Sequence, residues 1–380
     1  MSGDQGGPAG FGGSADLVFS EDIKLRRFIG LSFKNLLLTI LTLTLYNFWA
    51  RTEVRKRVWA GTIINDEPLE YRGKGKELFI GFLLVTFCVL LPASLILGLA
   101  HLFLGQEITI FIGTLFYLTA GYLSFVAIYR ARAYLLSRTS WRGVRLIQGP
   151  DWGWGFGWSM VGHVVMTMIT LGWWTPRMRM RIAHDLWSRT SWGDEKFIFN
   201  EGETKNLAGG LYASYAVAWF GGWVVMIAAF GAAFAAMMAL SAGNPAVMMA
   251  DPQYAMTAML TLYALVIPAA VLAAFISLPY QAAVYRRIAD KLRIDNLRFK
   301  LGVGSLALFW LSLGNLLIIV FSLGILSPLA QARSWRFLVR RLSTEGSIDL
   351  AAIHQAASRG PGAGEGLADA MHVSVLDGGL

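Results

Sequence analysis

The sequence is poor in charge: Asp, Glu, Lys and Arg make up 15% of its 380 residues, against about a quarter in an ordinary soluble domain. Too few ionisable groups remain to cover a water-facing surface, which excludes an ordinary soluble fold and makes the bilayer the expected solvent. Cysteine is nearly absent. The single Cys88 lies in an apolar run, so neither an intrachain disulfide nor a cysteine-held zinc or iron–sulfur centre is expected. There is no two-histidine metal motif, phosphate loop or nucleophile elbow. The reading is therefore of a chain with no cofactor and no enzymatic activity. Residues 1–14 are Gly-rich and lack the basic-then-apolar order of a cleavable signal, so the first apolar segment is expected to be retained.

Apolar and aromatic residues are abundant. Hydrophobic residues reach 55%, with 14 Trp, 12 Tyr and 23 Phe, as expected where rings anchor at membrane interfaces. The net charge of +9 sits in short loops between apolar segments, the pattern of the positive-inside rule. With no recognition motif to support it, nucleic acid is not an expected partner.

The spacing of Lys and Arg organises the chain. None occurs between Lys76 and Arg130, Arg145 and Arg177, Lys205 and Arg286, or Lys300 and Arg333. The first gap is long enough for two helices, near 77–102 and 109–129, and the third for two more, near 209–240 and 256–281. A span needs about 20 apolar residues. The connections at 105–107 and 241–254 carry no Lys or Arg and are expected to face away from the cytoplasm.

Three other apolar segments, 28–50, 152–176 and 302–328, have basic clusters on both sides. If each enters and leaves on the same face, as a re-entrant or shallow hairpin, every cluster stays cytoplasmic. Single crossings with a weaker charge rule are the rival. Each carries a break, at Leu41-Thr42-Leu43-Thr44, Ile169-Thr170-Leu171-Gly172 and Phe321-Ser322-Leu323-Gly324, and Pro176 and Pro328 follow the last two. The segments are copies of one motif that runs into an Arg-rich helix and then a short β-hairpin with polar turn residues. The hairpins lie at 62–71, 140–146, 192–199 and 292–299, with a fainter one at 343–350. They are expected to associate in a cytoplasmic layer, because a lone hairpin is marginal. The fold class expected is mainly α: a polytopic helical membrane protein with internal repeats and short cytoplasmic β-hairpins. Weakly patterned, disordered ends at 1–16 and 351–380 flank a repeat-built membrane domain at 17–350.

The run Leu43-Thr44-Leu45-Tyr46-Asn47-Phe48-Trp49-Ala50-Arg51, followed by Tyr71-Arg72-Gly73-Lys74-Gly75-Lys76-Glu77-Leu78, resembles the bacterial inner-membrane family of unknown function typified by YjgN. Looser echoes at 164–199 and 315–341 extend the likeness over most of 20–345. The resemblance implies a multi-pass protein of the inner membrane and implies no reaction.

The basic helices are the candidate functional surface. Arg51, Arg55, Arg130, Arg132, Arg142, Arg181, Arg189, Arg286 and Arg287, with Trp141 and Trp192, are candidate contacts to anionic lipid headgroups, since Arg beside Trp at a cytoplasmic interface suits them. The competing reading is that these cations only fix topology. His163 is a candidate for a polar path, against a simple helix-bonded histidine. Trp152-Gly153-Trp154-Gly155-Phe156-Gly157-Trp158 reads as an aromatic belt at a membrane entry. Membrane lipid is thus the expected partner, with a homo-oligomer left open. The alternative function is a small-solute transporter or channel gated by the broken helices.

Overall fold

The computed structural model describes residues 14–149, 152–199, 207–240, 252–350 and 353. The chain folds as five successive units, each a helical hairpin that runs into short strands. The first opens with β1 (Ser14–Ala15) and β2 (Phe19–Glu21), then α1 (Leu25–Leu41) and α2 (Asn47–Ala60), then β3 (Thr62–Ile64), β4 (Glu67–Pro68) and β5 (Glu70–Tyr71). The second has α3 (Gly75–Val85), a π turn at Thr86–Leu90, α4 (Leu91–Phe103), α5 (Gly105–Ser137), β6 (Thr139–Trp141) and β7 (Val144–Gln148). The third has α6 (Gly153–Ile169), α7 (Thr175–Trp187), β8 (Thr190–Trp192) and β9 (Glu195–Phe199). In the fourth, α8 (Leu211–Leu240), α9 (Pro252–Ile276) and α10 (Leu278–Lys291) precede β10 (Leu292–Ile294) and β11 (Leu297–Leu301). The last has α11 (Ser305–Phe321), α12 (Ser327–Val339), β12 (Leu342–Glu345) and β13 (Ile348–Asp349).

The second and fourth units hold the four helices long and apolar enough to cross a membrane: Gly75–Phe103, Gly105–Ser137, Leu211–Leu240 and Pro252–Ile276. At 1.5 Å per residue the shortest, of 25 residues, is ~37 Å long. Within their apolar windows at most 11% of residues are buried inside the protein, so their apolar faces need another solvent. Pro92 explains the π turn, because it lacks an N–H and crowds the carbonyl one turn back. The fourth span ends at Ile276 rather than near 281. Pro279, near the start of α10, cannot continue the hydrogen-bond ladder, and the chain turns at Ser277. The connection at 241–251 and the termini 1–13 and 354–380 lie outside the described residues.

The other three units have short hairpins with one tip geometry. Each 17-residue apolar arm is ~25 Å long. The arm ends in a pair with positive φ: Leu43 and Thr44, Leu171 and Gly172, Leu323 and Gly324. The amides of Thr44, Gly172 and Gly324 donate back to the carbonyls of Thr39, Thr167 and Ile319 at 2.7, 2.7 and 2.8 Å, the long bond of a helix C-terminal motif. The hydroxyls of Thr42, Thr170 and Ser322 then accept from the amides of Tyr46, Trp174 and Leu326 at 2.9, 3.0 and 3.1 Å. Pro176 and Pro328 sit in the first positions of the return helices, where a missing N–H costs nothing.

The strands assemble almost entirely in chain order. From β5 to β12 they form one eight-stranded antiparallel sheet, joined between units by pairs such as Tyr71↔Thr139, Gln148↔Thr190, Leu292↔Phe199 and Lys300↔Ser343. Each of the first three hairpins starts on a threonine that ends its helix. The hydroxyls of Thr62, Thr139 and Thr190 donate to the carbonyls four residues back at 3.0, 2.9 and 2.8 Å. Turns such as Asn65-Asp66 and Arg142-Gly143, both residues at positive φ, match the strand twist. The N-terminal stretch forms the seam. β2 pairs with β3, β1 pairs with β13, and the Thr344 hydroxyl donates to the carbonyl of Leu17 at 2.6 Å. Residues 14–15, read from sequence as part of an unstructured end, belong to this seam.

The helices close the same circuit: α2 packs on α3, α5 on α6, α7 on α8, α10 on α11, and α12 on α1. Inward side chains of first, middle and last strands meet in one core that includes Ile64, Trp141, Trp192, Phe199, Ile294, Leu297 and Ile348. The Gly-rich run in the first turns of α6 allows close packing. A Cβ at Gly157 would come within 2.8 Å of Tyr122 and Val126 on α5.

Candidate functional site

Aligning the three short hairpins by Thr42, Thr170 and Ser322 places Asn35, His163 and Asn315 in one register, seven residues earlier in each copy. All three sit about two turns from a tip, on otherwise apolar arms. Asn315 donates to the Ser334 hydroxyl at 2.9 Å and to the carbonyl of Ala330 at 3.4 Å, across its own hairpin. His163 Nδ1 accepts from the Trp174 indole N–H at 3.2 Å, also within its hairpin. Asn35 is buried, and neither amide atom has a hydrogen-bond partner among the described residues. The register is visible in sequence only when the three copies are aligned, because the equivalent residues differ in type: asparagine in two and histidine in one.

The candidate arginines divide by depth. Arg132 is buried, with Nη1 donating to Gln148 Oε1 at 2.7 Å and to the Thr190 hydroxyl at 2.9 Å, and its guanidinium lies 4.8 Å from the Trp187 ring centre. Arg55 is likewise buried. Trp141 and Trp192 are not at a lipid surface: 4% and 7% exposed, they pack together at 5.0 Å between ring centres inside the sheet core. These four residues are corrected from lipid contacts to interior positions. A tryptophan after a basic helix reads as an interfacial ring in sequence. Here strand alternation turns it inward from β6 and β8.

The rest lie nearer the surface. Arg130 faces Trp154 at 5.6 Å and Arg189 lies 3.7 Å over Trp152. Arg142, at φ 51° in the β6–β7 turn, pairs with Glu67 at 3.1 Å and lies 4.9 Å from Trp141. Arg51 on α2, Arg181 on α7 and Arg287 on α10 are half-buried, and Arg286 is exposed. Exposed cations outside the candidate contacts are Lys24, Arg26 and Arg27 at the root of α1, and Arg177, which opens the basic cluster of the third unit near its tip. The signal available in sequence was the Lys24-Leu25-Arg26-Arg27 run just before the first apolar segment. Among the described residues no cluster of His, Cys, Asp or Glu has the make-up of a metal site.

The tips carry highly exposed apolar residues, with Leu43, Leu171 and Leu323 at 84%, 72% and 91%. Cations begin close behind them: Arg177 stacks 4.9 Å from the Trp174 ring, and Arg51 and Arg333 follow on α2 and α12. Each short hairpin thus joins an apolar arm and an exposed leucine to a return helix bearing arginine.

No solved structure matches the chain. One curated relative, the inner membrane protein YjgN of Salmonella typhimurium, is 37% identical over 62 residues. That match covers 16% of this chain and 16% of the relative's length. The model of a bacterial protein family of unknown function, DUF898, matches residues 22–370. With that match over most of its length, the chain belongs to the DUF898 family of bacterial proteins of unknown function.

Proposed function

We propose that the protein is a multi-pass inner-membrane protein that engages anionic lipid and catalyses no reaction. The four long apolar helices cross the bilayer, and the strands and both termini lie on the cytoplasmic side. The observation that carries this reading is the build of the short hairpins. Exposed leucine tips enter the acyl boundary while arginines on the return helices reach phosphates, the division of labour of an interfacial amphipathic helix. A hairpin plunging into hydrocarbon would bury Arg177 within a turn of its tip, at a cost of several kcal/mol. Shallow hairpins avoid that cost. The relative's name, an inner membrane protein, accords with this placement.

The test is lipid retained by the protein purified in mild detergent. Changing Arg51, Arg177, Arg181 and Arg286 to Gln removes surface cations worth about 1 kcal/mol each near an anionic surface. Retained anionic lipid should fall several-fold. Arg132→Met should instead lower thermal stability and leave lipid retention unchanged, because Arg132 bonds only inward. Equal anionic lipid in the quadruple variant and the parent would overturn the reading. The second reading, a small-solute transporter, draws on the Asn35, His163 and Asn315 register. Solute flux in proteoliposomes, abolished by His163→Ala, would favour it over the first.

A further inference from the structure

We propose that the root of the first hairpin holds a binding groove for a single phospholipid with an anionic headgroup, distinct from the diffuse contact made by the tips. The proposal rests on the reading of the short hairpins as lipid-facing. A groove of about 580 Å³ lies between the first half of α1 and the end of α2, within the size range of small-molecule sites, about 300–1,000 Å³. Its cationic lining is Lys24, Arg27, Lys34 and Arg57, and Phe28 and Leu31 contribute apolar wall.

Charge in the groove is unbalanced. Asp22 pairs with Lys24 at 3.3 Å, and Glu53 is shared between Lys34 at 3.1 Å and Arg57 at 3.0 Å. Arg27 has no acidic partner among the described residues; its carbonyl instead accepts from Arg57 at 3.4 Å. Four cations against two acids leave an excess of two positive charges, which favours a lipid whose phosphate diester charge is not balanced by a headgroup cation.

Gly30 supplies an independent observation. It lies inside α1, where glycine costs about 1 kcal/mol relative to alanine. No atom comes within 4 Å of where its Cβ would be, so packing does not require glycine there. Gly30 itself lines the groove, and a large side chain would fill the groove rather than strike a neighbour.

The occupant is amphipathic because the groove continues into an apolar track. On the groove's own face of α1, Leu38 and Leu41 follow Lys34 at i+4 and i+7 toward the tip, Leu38 half-buried and Leu41 69% exposed. Lys24 and Arg27 at one end and these leucines at the other match a headgroup and an acyl chain. The other two short hairpins lack this constellation: the positions matching Lys34 and Glu53 are Gly162 and Arg181 in the third unit, and Gly314 and Arg333 in the fifth.

The experiment uses the full chain in detergent, titrated with phosphatidylglycerol and followed by native mass spectrometry. Phosphatidylcholine serves as the zwitterionic control, and inorganic phosphate is added as competitor. One tightly retained phosphatidylglycerol per chain is expected. Its affinity should fall about tenfold or more in Gly30→Trp and in Arg27→Glu, and stay unchanged in Gly30→Ala. Gly30→Ala should also melt no lower than the parent, which separates blocking from misfolding. Unchanged affinity in Gly30→Trp overturns the groove. If retention then falls only when Arg51, Arg177, Arg181 and Arg286 are changed, the general lipid reading stands without it. If no variant changes retention, both fail. Displacement of the bound lipid by inorganic phosphate alone would assign the groove to a soluble phosphate and overturn a lipid occupant.

Discussion

At the residue scale, the second of the two left-handed positions at each short-hairpin tip differs between copies. Two copies place glycine there, Gly172 and Gly324, and the first places Thr44 at φ 73°. A β-branched residue in this region is strained by about 1–2 kcal/mol. Thr44 is exposed and its side chain has no described bond that would be lost. Thr44→Gly should therefore raise stability by about 1 kcal/mol, offset in part by the added freedom of the unfolded chain. Gly324→Ala should lower it by a similar amount, since no atom within 4 Å opposes the new Cβ and only the backbone angle does. Thermal unfolding in detergent reads both. A fall in melting temperature for Thr44→Gly would mean that its side chain serves a purpose in the tip.

At the element scale, the N-terminal strand is the seam of the sheet, and one carboxylate holds it. Glu21 Oε1 accepts from Arg336 Nε and Arg340 Nε, both at 2.7 Å, and its second oxygen accepts from the amide of Ile23 at 2.9 Å. Burial acts to raise the Glu21 pKa. The Ile23 amide and the two guanidinium groups outweigh it and hold the carboxyl below its ordinary 4.5. A depressed folded-state pKa contributes stability that is present above the unfolded value and lost as pH falls through the folded one. The clasp is therefore fully formed above pH 4.5 and releases on further acidification. Glu21→Gln should cost about 2 kcal/mol near neutrality and flatten the loss of stability below pH 4.5. Parallel acid-side melting curves for parent and variant would show that Glu21 does not hold the seam. Sequence gave little notice of this element. β2 meets α12 from more than 300 positions away, and residues 17–21 are too few to show alternation. The four helices long and apolar enough to cross a membrane were legible because their unbroken apolar length shows in any residue count. The tips were legible because Thr42-Leu43-Thr44, Thr170-Leu171-Gly172 and Ser322-Leu323-Gly324 each interrupt an apolar run. The interior placement of Trp141, Trp192, Arg55 and Arg132 was not, because the same Arg and Trp residues suit an interface or a core until strand pairing fixes which way they face.

At the scale of the whole molecule, the sheet constrains topology more tightly than charge counting does. β7 precedes the apolar segment 152–176 and β8 follows it, yet the two are hydrogen-bonded neighbours, Leu146↔Trp192 through Gln148↔Thr190. The same holds across the last short hairpin, where β11 pairs with β12. On the proposed membrane placement the strands flanking each of these segments lie on one side of the bilayer, which favours the shallow-hairpin reading over single crossings. The long hairpins obey the same constraint, since β5 pairs with β6 around one pair of spans and β9 with β10 around the other. Each pair of spans must therefore return the chain to the sheet. This can be measured with single cysteines at exposed Arg145, Lys196 and Arg298 on β7, β9 and β11, and at exposed Gln106 between the first two spans, in a Cys88→Ser background. A membrane-impermeant thiol reagent should label the three strand positions only from the cytoplasmic side and position 106 only from the other. Labelling of positions 145 and 196 from opposite sides would break the sheet and the shallow-hairpin reading together. All three strand positions reacting from the periplasmic side would keep the sheet and invert the protein, placing its arginines away from the leaflet that positive charge favours.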